Sequence, residues 1–134
     1  MTLPPTVIIT GGRDFNNYEL LKETLNYLFG ALAVKLIAGA CDRGILTYTR
    51  PDGTTVYGAD GLTERYAAEF GYKFTPYPAD WNKHGKAAGP IRNAAMIKSG
   101  AEICIGFWDG KSKGTFDMMT KANKAGITVI EKKY

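Results

Sequence analysis

Thr6-Val7-Ile8-Ile9-Thr10, running into Gly11-Gly12, is the stretch on which the fold turns. An unbroken run of β-branched apolar residues suits a strand covered on both faces, so it predicts a central strand of a parallel sheet. Working outward, residues 16–29 place Leu20, Leu21, Leu25, Leu28 and Phe29 at roughly helical spacing. Asn16 or Asn17 can cap the start of that helix and Gly30 its end. Residues 34–38 read as a second strand, again running into a glycine, Gly39.

Beyond Gly39 the alternation is interrupted. Two β-prone runs, 45–50 and 54–57, flank the turn signal Pro51-Asp52-Gly53, which predicts a protruding hairpin over about residues 45–57 with Tyr48 and Tyr57 facing each other. Residues 61–70 then form a second helix, with Asp60 as a possible cap and Gly71 as the stop. A third strand falls within 72–77, where Pro76 and Pro78 push the chain to the sheet rim. After a polar loop at 79–85 come a helix at 88–98 with Pro90 in its first turn, a strand at 101–107, a helix at 115–125 and a strand at 127–130. Strands alternating with helices imply right-handed crossovers. The expectation is one α/β domain over residues 1–134, a Rossmann-like three-layer α/β/α sandwich with a mostly parallel sheet and an inserted hairpin.

Composition bounds the function. A chain of 134 residues holds one core, and its 45% hydrophobic and 22% charged residues are ordinary for a globular domain. The net charge of +4 biases the chain mildly toward anions. A nucleic-acid stripe would cluster its basic residues. Here the dense groups are Lys111 with Lys113, and Lys132 with Lys133, the latter read as a solvated tail. Cys41, Cys104 and the single His84 provide no metal set, and no cofactor is expected. His84 reads as a solvated residue more readily than as a catalyst. The start, residues 1–5, lacks a secretory pattern, and no stretch is apolar enough to span a bilayer, so a cytoplasmic protein without a membrane partner is expected.

Open parallel sheets bind ligands beyond the carboxyl ends of their strands, where helix starts offer free N–H groups. Small residues stand at three such ends: Gly11-Gly12-Arg13-Asp14, Gly39-Ala40 resuming at Gly58-Ala59-Asp60, and the stretch 106–115. With them come Pro78-Ala79-Asp80-Trp81 and the segment Gly85-Lys86-Ala87-Ala88-Gly89-Pro90-Ile91-Arg92-Asn93. Taken in order, these motifs resemble the YspA-like branch of the SLOG superfamily, relatives of the LOG phosphoribohydrolases and of the DprA DNA-processing proteins. The resemblance runs through residues 6–130.

The resemblance implies a nucleotide-derived ligand lying against Gly11, Gly12 and Arg13, with Arg92 matching the LOG arginine and Gly114-Thr115 the end of a phosphate loop. Asp14, Gly39, Asp60, Asp80, Trp81, Lys86, Gly89 and Asn93 complete the expected ligand set. Trp81 either packs over the sheet rim or stacks on a base, and Asp60 either caps its helix or meets the ligand. The chain departs from the family at residues 107–113, which lack its proline and paired glycines, and at Met118, where LOG enzymes carry a glutamate. Cleavage of a glycosidic bond needs a carboxylate, so the catalytic residues stay open, with Arg92, Asp117, Asp80 and Asp60 as candidates. The expectations are therefore binding of a phosphate-bearing nucleotide in a homodimer or higher homo-oligomer, then LOG-like hydrolysis of a nucleoside monophosphate, then DprA-like binding of single-stranded DNA.

Overall fold

A computed structural model describes residues 4–30 and 32–134. The chain runs β1 (Thr6–Gly11), α1 (Tyr18–Phe29), β2 (Lys35–Ala38), β3 (Leu46–Thr49), β4 (Thr55–Tyr57), α2 (Gly58–Phe70) and β5 (Phe74–Pro76). It continues through α3 (Trp81–His84), a 3-10 turn (Gly85–Ala87), α4 (Ala88–Ile97), β6 (Ile103–Trp108), α5 (Lys113–Lys124) and β7 (Thr128–Lys133). Five strands form a sheet of order β5-β2-β1-β6-β7, every pair parallel, and β3 with β4 makes a separate antiparallel pair.

Alternation along β1 divides the core. Val7 and Ile9 face Leu21 and Leu25 of α1 and Leu62 and Tyr66 of α2, while Ile8 faces Met96 of α4 and Met118 and Ala122 of α5. Helices therefore cover both faces and the domain has the three α/β/α layers of a Rossmann-like fold. Each fully buried leucine or isoleucine contributes about 1.5–3 kcal/mol, so the central strand is fixed from both sides. Asn17 caps α1 by accepting the Leu20 N–H at 3.0 Å, and Gly30 ends the helix.

Local structure departs from the sequence expectations in several places. The hairpin does not protrude; it lies along α2. The Thr47 hydroxyl donates to the Gly58 carbonyl at 2.8 Å, Arg50 Nε meets both Glu64 oxygens at 3.0 Å, and Val56 is buried. Tyr48 pairs with Val56 and Tyr57 with Leu46, because the register shifts within β3, so the two tyrosines do not oppose each other. α2 begins at Gly58 with Tyr57 before it and no side-chain cap, which puts Asp60 inside the first turn and frees its carboxylate for another task. Residues 81–84 are helical rather than loop, because Asp80 accepts the Lys83 N–H. Lys132 and Lys133 lie in β7 beside Phe107 and Trp108 and are no loose tail. Among the described residues no helix is long and apolar enough to cross a membrane.

Candidate functional site

The strand order reverses direction between β1 and β6, and ligands of open α/β sheets occupy the crevice beyond that point. A cleft of about 1050 Å3 lies there. Its wall includes Gly11, Gly12, Arg13, Asp14, Gly39, Asp60, Trp81, Lys86, Gly89, Arg92, Asn93, Gly114 and Thr115, and of the sequence-derived ligand set only Asp80 falls outside, engaged as the α3 cap.

At the β1 and β2 ends the protein itself fills the space beside the glycines. A Cβ on Gly11 would stand 2.5 Å from that of Ala59, one on Gly12 would strike the Tyr134 hydroxyl, and one on Gly39 would strike the Arg92 guanidinium. Tyr134 donates to Asp14 Oδ1 at 2.7 Å. Arg92 donates through Nη1 to the Gly39 carbonyl at 2.6 Å and the Tyr77 carbonyl at 3.4 Å, and through Nε to Asn93 Oδ1 at 2.9 Å. It therefore ties α4 to the end of β2, and Arg92→Ala would disturb the fold as well as the cleft.

Asp60 completes this wall. Its Oδ2 accepts the Cys41 N–H at 3.0 Å, and the Gly39 amide lies close to the same carboxylate. Ala40 between them has φ 51°, a left-handed conformation strained for a residue with a Cβ. The bend wraps two amides around the Asp60 carboxyl group, which fills the place a ligand's anionic group would otherwise take. Burial pushes that carboxyl above the ordinary range, while the Arg92 charge pulls it the other way.

The β6 wall is organised differently. Asp109 accepts the N–H groups of Lys111 and Ser112, both at 2.8 Å, and these bonds hold its carboxyl below the ordinary range. Ser112 caps α5, and its hydroxyl lies 3.1 Å from that of the buried Thr115. A Cβ on Gly114 would meet nothing within 4 Å, so the first turn of α5 presents bare backbone. The buried Asn93 amide donates to the Gly114 carbonyl at 3.3 Å and to Asp117 Oδ2 at 3.0 Å, joining α4 to α5.

The structure separates the carboxylate candidates. Met118 is fully buried among Ile8, Met96 and Cys104, so a glutamate at that position would enter the core and not the cleft. Asp117, one residue earlier, lies on the cleft wall, held by Asn93 and Lys121. His84 ends α3 and is not part of the lining. Trp81 is 42% exposed at the rim, with the Arg43 guanidinium 5.5 Å from its ring, so it neither seals the sheet nor lacks a partner. Arg43, Lys111, Lys113, Asp109 and Cys41 also line the cleft and were missed as site residues. The pair Lys111 and Lys113 was visible as a basic cluster, but only the turn closed by Asp109 shows that it belongs to the site.

No protein-family profile matches the chain. It is 45% identical over 78 residues, 54% of its length, to the Gene 61 protein of Mycobacterium phage D29. The match takes in 62% of that protein, so the chain spans less than two thirds of the relative, whose name states no activity.

Proposed function

We propose that the cleft binds a nucleotide or nucleotide-derived small molecule, with its phosphate against the first turn of α5. One observation carries this reading: the carboxylates of the wall are all engaged, whereas of its cations only Arg43 and Arg92 are held by protein groups. Asp14, Asp42, Asp60, Asp109 and Asp117 each accept hydrogen bonds from protein groups. Arg13, Lys86, Lys111 and Lys113 make no salt bridge among the described residues. Cations without a salt bridge thus stand where the backbone is most accessible. A phosphate there gains from the helix dipole, about 0.3–1 kcal/mol, and from charge-assisted hydrogen bonds of about 1.5–3 kcal/mol each. The resemblance to the SLOG superfamily supports a nucleotide over a bare anion.

Titration calorimetry with a panel of nucleoside mono- and diphosphates tests this. Replacing Lys111 and Lys113 together by alanine should weaken binding at least tenfold with little change in melting temperature, since both side chains are exposed. A panel in which nothing binds at millimolar concentration overturns the reading.

Asp117 supports a second reading, hydrolysis of the glycosidic bond in the LOG manner, since it puts a carboxylate on the cleft wall. Chromatography of free base released from the bound monophosphates decides it. Turnover by the wild type that is lost in Asp117→Asn would favour hydrolysis, and no release over hours would leave binding as the whole activity.

A further inference from the structure

Adjoining the cleft lies a second hollow, of about 420 Å3, lined by the aromatic rings of Trp108 and Phe116 together with Lys111 and Lys113. Trp108 ends β6, and its indole N–H donates to the Ser112 carbonyl at 3.0 Å, which holds the ring in place. The Phe116 ring lies 5.5 Å from it, tilted by 33°. Phe116 is 53% exposed although its neighbours on α5, Met118 and Met119, are buried. A lone exposed phenylalanine needs no explanation. This one lines a hollow beside a fixed indole, together with two lysines that form no salt bridge among the described residues.

The hollow also shares Lys111, Ser112, Lys113 and Asp117 with the main cleft. The start of α5 is therefore the partition between two lobes, and a phosphate resting on it is within reach of both. We infer that the second lobe receives the second ring of a soluble dinucleotide, two nucleosides joined through phosphate, with the bridge on the α5 start and one base stacked on Phe116. The inference rests on the proposed phosphate site and adds its ligand class. Ring faces attract any base, and stacking on an aromatic side chain changes affinity roughly tenfold or more when that side chain is removed. Lys111 and Lys113 suit a bridge carrying more than one negative charge. Asp117 opposes it little, because Lys121 and Asn93 already engage its carboxylate.

Calorimetry on the whole chain tests the inference, using adenosine and guanosine monophosphates, the corresponding dinucleoside pyrophosphates and an octathymidylate strand, with wild type, Phe116→Ala and Phe116→Trp. A dinucleotide should bind at least about tenfold more tightly than its monophosphate. Phe116→Ala should abolish that margin and leave the monophosphate affinity unchanged, and Phe116→Trp should restore it. Equal affinities in the wild type, or a margin that survives in Phe116→Ala, overturn the second lobe while the monophosphate site stands. If no probe binds, both readings fall. Tighter binding of the strand than of either dinucleotide replaces the small molecule with a nucleic acid, and self-association lost in Phe116→Ala without nucleotide makes the aromatic face a contact between copies. Either result overturns the inference.

Discussion

The two walls of the cleft use the same small residues for opposite purposes. At the β1 and β2 ends, Gly11, Gly12 and Gly39 are small because Ala59, Tyr134 and Arg92 press against them. At the α5 end, Gly114 has nothing beside it. A glycine at a strand end thus signals close approach, and only the surroundings show whether protein or ligand does the approaching. The first wall is closed by the chain's own groups, including a carboxylate where an anion could have sat. The second spends Asp109 and Ser112 on the amides of residues 111, 112 and 115 but leaves Gly114 uncovered and Lys111 and Lys113 without salt bridges.

Three substitutions would sharpen or break that contrast. The largest effect is expected at Gly58, which starts α2 with φ 58° directly against the Gly12 carbonyl and the Arg13 Cα. Gly58→Ala adds a Cβ that meets backbone in a conformation L-residues disfavour, and should cost about 2–4 kcal/mol. Urea denaturation measures it, and a loss below ~1 kcal/mol would show that the closed wall is looser than its contacts imply.

Next is the buried carboxyl of Asp60. Burial raises the folded pKa of Asp60 above its ordinary value of 3.8, so the folded state prefers the neutral acid. The stability this preference lends is fully present below 3.8 and is lost as pH rises through the higher folded value. Asp60→Asn, which keeps an acceptor for the Cys41 amide, should therefore raise the melting temperature at pH 7 by a few degrees. The gain should shrink as the pH is lowered toward the ordinary carboxylate value. Melting curves across pH that show a constant difference, or a loss at neutral pH, would mean that Arg92 and the two amides outweigh desolvation.

The smallest effect on stability is expected at Gly114. An exposed glycine inside a helix costs roughly 0.5–1 kcal/mol relative to alanine, and here the Cβ has room. Gly114→Ala should be slightly more stable by the same denaturation experiment. Nucleotide affinity should fall, because the methyl group would stand between phosphate and backbone. A variant that is more stable and binds unchanged would move the phosphate away from α5.

The pattern of strands was legible because a core strand covered on both faces must be continuously apolar, as in Val7-Ile8-Ile9, and because Asn17 and Gly30 mark helix ends by local hydrogen bonding alone. The hairpin was legible as a hairpin, but its docking was not. Thr47 and Arg50 find Gly58 and Glu64 only after the chain has folded back. Most of the cleft lining could be named for the same reason as the strands, since it sits at strand ends. The role of each member could not. Arg92 as a tie between carbonyls, Asp60 as an internal acceptor of amides and Asp117 rather than residue 118 on the cleft wall all depend on which way a helix is turned about its axis. A rotation of about 100° in α5 exchanges a core methionine for a cleft carboxylate.

The pairing of β1 has a kinetic consequence. Val7 is matched on one side with Leu36 and on the other with Ile103. The first partner closes a short loop and the second a long one, and long parallel closures come at a high entropic cost before any contact repays it. The early half of the chain can therefore gather its strands first, but the open wall of the cleft joins the closed one only when β6 docks. A ligand that needs both walls has no partly assembled binding site to meet, so its binding energy acts on the complete fold.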